Sequence, residues 1–138
     1  MTTVRDIMTT GVECVRTSDT VLDAARKMAE LDIGALPICG EDDQLKGMLT
    51  DRDIVVKVIV QRKDPIGVHA GELAEGTPVT VQADDEVSKV CELMSQHQIR
   101  RVPVLDNDRL VGIVAQADVA RELENPQSGS VLEAVSKE

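Results

Sequence analysis

The chain aligns with itself. Shifting the 138-residue sequence by 66 sets Val15 on Val81, Asp19 on Asp85, Val21 on Val87, Met28 on Met94, Ile33 on Ile99 and Pro37 on Pro103. After one polar turn the shift becomes 65, and Leu45 falls on Leu110, Gly47 on Gly112, Asp53 on Asp118 and Ile54 on Val119. The lost residue lies where Gly40-Glu41-Asp42-Asp43-Gln44 faces Asp106-Asn107-Asp108-Arg109, and polar turns are where insertions are tolerated. A fold for this chain must therefore be one supersecondary unit made twice.

Each copy opens on a short strand, Glu13–Arg16 or Val79–Gln82. Ser18-Asp19 and Asp84-Asp85 then offer helix N-caps. Apolar residues at helical spacing follow: Val21, Ala25 and Met28, or Val87, Cys91 and Met94. A strand, Leu36–Cys39 or Val102–Leu105, leads through a turn into Leu45–Leu49 or Leu110–Val114, giving a hairpin. A second helix closes the unit. In copy one Ile54, Val55, Val58 and Ile59 form one apolar face; in copy two the helix ends near Leu123. The fold class is α/β (α+β), two β-α-β-β-α repeats packed through their sheets with pseudo-twofold symmetry. The boundaries are 1–62 for domain 1, 63–69 for a linker holding Pro65 and Gly67, 70–124 for domain 2 and 125–138 for a tail. Val131–Val135 in that tail offers one or two helical turns.

Composition narrows the function. Fifteen basic and 25 acidic residues leave a net charge of −10, which disfavours nucleic acid as a partner. There is no Phe, Trp or Tyr, so no ring is present on which a base could stack. No apolar run reaches the roughly 18 residues of a membrane span, and the N-terminus lacks signal-peptide patterning. The expectation is an acidic cytoplasmic domain with no membrane contact.

The most informative stretch is Gly47-Met48-Leu49-Thr50-Asp51-Arg52-Asp53. A strand ends at Leu49 and a helix begins near Asp51. The first helical turn presents free N–H groups, which favour an anion. Gly47 would let a ligand approach the backbone, and Asp53 suits two adjacent hydroxyls. The plain alternative is an N-cap, with Thr50 and Asp53 in a capping-box arrangement.

Together with Gly34-Ala35-Leu36-Pro37 and the duplication, this stretch resembles the CBS-domain family, over roughly residues 4 to 123. Two such domains in tandem form a Bateman module. The resemblance implies a regulatory module that binds an adenosine compound (AMP, ADP, ATP, NAD or S-adenosylmethionine) in the cleft between repeats, with no cofactor required. It implies that Asp53 takes the ribose hydroxyls, that Thr50 takes a phosphate oxygen, and that Gly34 and Ala35 leave room for the base. Pro37, Gly47 and Arg52 complete the copy-one set. Copy two keeps Gly112 and Asp118, but Ala115 replaces the hydroxyl, and Arg100 and Arg101 replace Gly34 and Ala35. These arginines are solvated charges, partners of acidic groups, or phosphate contacts.

Cys91 matches Ala25 and reads as a core residue. Cys14 and Cys39 fall on strands that the β-α-β order makes neighbours, so they form a disulfide or remain two thiols. His69 and His97 lack zinc-finger spacing, and no Walker loop, G-x-S-x-G or G-x-G-x-x-G is present. No metal site and no enzyme activity are expected. Two function classes stand: a ligand-sensing module that signals to an unidentified protein partner or its own oligomer, and a ligand-free structural or stress-response interaction protein. The apolar second helices, with the family's habit, predict a homodimer.

Overall fold

Thr20 starts a helix because its hydroxyl accepts the Asp23 N–H at 3.1 Å, while the Asp23 carboxylate accepts the Thr20 N–H at 3.1 Å. The same reciprocal device recurs at Thr50 and Asp53. In the computed structural model, residues 2–124 are described; the tail and its expected helical turns lie outside them. The order is α1 (Val4–Ile7), β1 (Val15–Arg16), α2 (Val21–Leu31), β2 (Ala35–Cys39), β3 (Leu45–Thr50) and α3 (Asp51–Ile54). A π turn (Val55–Ile59) and a 3-10 turn (Ala70–Leu73) lead to β4 (Val81–Gln82), α4 (Val87–His97), β5 (Arg101–Asp106), β6 (Arg109–Ala115) and α5 (Gln116–Leu123).

Both copies build the same sheet. β1 pairs parallel with β2 and β2 antiparallel with β3; β4, β5 and β6 repeat that order. The ladder slips at Ile38/Cys39 in one copy and at Val104/Leu105 in the other. Each bulge adjoins the motif glycine, since Ile38 faces Gly47 and Val104 faces Gly112. Leu36, Ile38 and Leu49 are fully buried against Val21, Ala24 and Met28 of α2. Each such side chain contributes about 1.5–3 kcal/mol by leaving water. Val102, Val104 and Val114 play the same part against Val87, Val90 and Cys91.

The compact units do not follow the repeats. One is Glu13–Pro78; the other joins the segment before Glu13 to the chain from Val79 onward. The leading segments are exchanged. Val4 and Arg5 donate N–H groups to Asp85 and Ala83, each at 2.9 Å, and Val4 is buried with copy two's core. At the matching positions, Ala70 and Gly71 donate to Asp19 and Thr17, at 2.8 and 3.0 Å. The compact units thus differ in their bounds from the repeats of the sequence. Val68, Ala70 and Leu73 are buried in the first unit, because the 3-10 turn closes the sheet that precedes it.

Two local expectations are corrected. The N-caps are Thr20 and Glu86, not Ser18-Asp19 and Asp84-Asp85. Asp19 and Asp85 instead accept the N–H groups of Arg16 and Gln82, both at 2.9 Å, and close the turn before each helix. The second helix of copy one does not bury one face. Ile54 and Val58 face the core, whereas Val55, Val56, Ile59 and Val60 are 42–68% exposed. Ile54 and Val58 are four residues apart and share the core-facing stripe, whereas Val55 and Ile59 sit one position round the segment from it.

Candidate functional site

The β3–α3 junction of copy one gathers the expected residues. Strand β3 ends at Thr50, whose extended backbone (φ −111°, ψ 160°) turns the chain into α3. The Thr50 hydroxyl accepts the Asp53 N–H at 3.0 Å, and the Asp53 carboxylate accepts the Thr50 N–H at 3.0 Å. The capping arrangement is thus realised, with both side chains half-buried. The other Asp53 oxygen lies 3.5 Å from the Lys57 ammonium, which also meets Glu75 at 3.2 Å. Partial burial lowers the Lys57 pKa, but the Glu75 bond and the Asp53 charge outweigh it and hold the ammonium above its ordinary value.

The neighbouring strand supplies the small residues. The Gly34 carbonyl accepts the Asp51 N–H at 3.0 Å, and Asp51 folds back so that its carboxylate also accepts the Arg52 N–H at 2.8 Å. A methyl group on Gly34 would lie 3.1 Å from that carboxylate, so Asp51 fills the room the glycine leaves. Ala35 faces Thr50 and Pro37 faces Met48 across the ladder; Ala35 and Pro37 are buried, and Arg52 is exposed. The space at Gly47 is filled as well, since a methyl group there would meet the Ala74 side chain at 3.2 Å. The neighbour at Gly47 is thus Ala74, in a close packing contact.

Copy two keeps the geometry with other chemistry. Asp118 is 6% exposed and accepts the Ala115 N–H at 2.8 Å, half of the reciprocal cap, because Ala115 has no oxygen to return the bond. The second Asp118 oxygen pairs with Arg121. The Arg100 carbonyl accepts the Gln116 N–H at 2.8 Å, the position of Gly34 and Asp51 in copy one. Arg101 faces Ala115, and both arginine side chains are exposed.

Cys14 and Cys39 are joined as a disulfide with Cα atoms 5.9 Å apart, inside the roughly 7 Å limit for such a bond. Cys91 is buried in the second core. Among the described residues no three His, Cys, Asp or Glu side chains gather to hold a metal ion, and no helix is long and apolar enough to cross a membrane. Sequence reading missed Asp51, Lys57, Ala74 and Glu75. Lys57 had a local signal, four residues beyond Asp53, whereas Ala74 and Glu75 reach the site only through the exchanged segment.

The CBS domain model matches residues 4–60 and 70–125. Hypoxic response protein 1 of Mycobacterium tuberculosis is 54% identical over 123 residues, spanning 89% of this chain and 86% of that protein. Its solved structure, with two coordinated zinc ions, superposes with a TM-score of 0.81 at 53% identity, covering 87% and 98% of the two chains. The CBS domain pair of MJ0100, in complex with 5-methylthioadenosine and S-adenosylmethionine, gives 0.77 at 32% identity over 88% and 94%. CBSX2 in complex with AMP gives 0.75 at 27% over 88% and 95%. With the repeat, two like sheets and the Gly47–Asp53 junction already in place, these matches show that the chain belongs to the CBS-domain family, one domain to each copy.

Proposed function

We propose that this CBS pair is a non-catalytic cytoplasmic regulator that binds an adenosine-type nucleotide at the β3–α3 junction of copy one and signals to a protein partner or its own oligomer. The observation that carries the reading is the junction itself: a half-buried hydroxyl and carboxylate, Thr50 and Asp53, sit beside small Gly34 and Ala35 at a helix start. The adenosine ligands of MJ0100 and CBSX2 supply the ligand class. Asp53 would exchange its contact with Lys57 for two ribose hydroxyls. Copy two is the poorer site, because Ala115 offers no hydroxyl and Asp118 is buried against Arg121. Calorimetry with AMP, ADP, ATP, NAD and S-adenosylmethionine tests this. Asp53→Ala should abolish the tightest binding event and Asp118→Ala should spare it; the reverse pattern would move the site to the arginines. A ligand at 100 times its Kd should also add about 2.7 kcal/mol of stability.

A second reading is a ligand-free structural or stress-response protein. It is favoured by how completely the junction satisfies itself, with Asp51 at Gly34, Ala74 at Gly47 and Thr50 bonded to Asp53. Absence of any thermal shift with all five ligands would select it.

A further inference from the structure

We infer that copy one is closed by an ion-pair latch, Glu75 to Lys57, and that the backbone of Gly47 becomes reachable when this latch opens, whereas the equivalent glycine of copy two is sealed. The inference rests on the proposed use of the copy-one junction. Residues 70–73 are anchored: Ala70 and Leu73 are buried, and Gly71 lies tight against Thr17. The anchor ends there. Ala74 then covers Gly47, and Glu75 is 74% exposed and held by the Lys57 ammonium at 3.2 Å. Gly76 follows with φ of +62° and open space around it, a backbone state that glycine adopts without strain. The covering pair thus lies between a fixed turn and a permissive joint.

Copy two has Met8 and Thr9 where copy one has Ala74 and Glu75. There the cover is laddered backbone together with the Met8 side chain, whose sulfur would lie 2.8 Å from a methyl group on Gly112. Thr9 and Ile113 exchange two ladder bonds, at 2.9 and 3.0 Å, and a methyl group on Gly112 would lie 2.7 Å from the Thr9 carbonyl oxygen. Among the described residues no such bridge holds residue 75 to β3. An exposed ion pair is weak, so it yields to a ligand far more readily than a ladder does. Lys57 also touches Asp53, so the latch and the carboxylate proposed to take the ribose share one ammonium, while Ala74 covers the Gly47 backbone that the ligand would approach. Binding and unlatching would then favour each other.

The test uses the whole chain as wild type, Glu75→Gln and Ala74→Gly. Nucleotide affinity is measured by calorimetry with AMP, ADP, ATP, NAD and S-adenosylmethionine. Amide hydrogen exchange at residues 74 and 75 is followed without ligand. The latch predicts faster exchange at these amides in Glu75→Gln. It also predicts binding about two- to fivefold tighter in both variants, or binding where wild type shows none. Wild-type binding with unchanged affinity in both variants would overturn the latch and leave the nucleotide reading standing. If no protein binds, faster exchange in Glu75→Gln would uphold the latch and reject the nucleotide reading. Unchanged exchange in that case would reject both.

Discussion

The two motif glycines are alike in sequence and unlike in what they touch. A methyl group on Gly47 meets the Ala74 side chain at 3.2 Å, and on Gly112 it meets the Thr9 carbonyl oxygen at 2.7 Å. A side chain at the edge of a loop can give way by a few tenths of an ångström; a laddered carbonyl cannot without losing its bonds. Gly112→Ala should therefore cost about 1–3 kcal/mol, and Gly47→Ala no more than about 1 kcal/mol. Urea unfolding of the two variants measures the difference. Equal costs would mean that the segment from Thr3 to Thr9 moves as freely as the one that covers Gly47. Asp53 and Asp118 show the same divergence, one half-buried and shared with Lys57, the other buried and bound to Arg121.

At the scale of elements, the leading segments decide which core each copy completes. Val4 belongs to the first repeat by position, yet it is fully buried among Val81, Val87 and Val104. Val4→Ala should remove packing from the second unit at a cost of about 1–3 kcal/mol. Cys91, buried in that same core, reports on it directly. A thiol reagent should label Cys91 faster in Val4→Ala than in wild type. Unchanged labelling with a lowered denaturation midpoint would show that the loss falls elsewhere. The disulfide constrains the other unit, where the bond from Cys14 to Cys39 clamps the start of β1 to the end of β2.

For the whole molecule the governing feature is apolar surface left in water. Val55, Val56, Ile59 and Val60 are 51, 42, 53 and 68% exposed on consecutive turns of one segment. Large contiguous apolar surface of this kind marks an interaction site. With the common twofold solution for homo-oligomers, it supports the proposed dimer. Light scattering should give the mass of two chains for wild type at low micromolar concentration. Ile59→Asp, which buries a charge at such an interface, should weaken association at least about tenfold and shift the mass toward one chain. A wild-type mass of one chain would end the dimer proposal.

What the sequence determined by itself is the repeating architecture. Periodicity, the turn residues and the Thr50/Asp53 spacing are local, and local rules specified two β-α-β-β-α copies, their hairpins and the cap at the β3–α3 junction. Three things were decided in tertiary space. The exchange of leading segments brings Val4 to Asp85 and Ala70 to Asp19, distant pairings on which no spacing rule acts. Which side of the second-helix segment meets the core is settled by packing, with Ile54 and Val58 turned inward and Val55 and Ile59 left outward. The motif glycines are occupied by Ala74 in one copy and Thr9 in the other. A glycine in a sequence announces that something comes close; only the folded chain decides whether that neighbour is a methyl group on an unladdered segment or a backbone bonded in place.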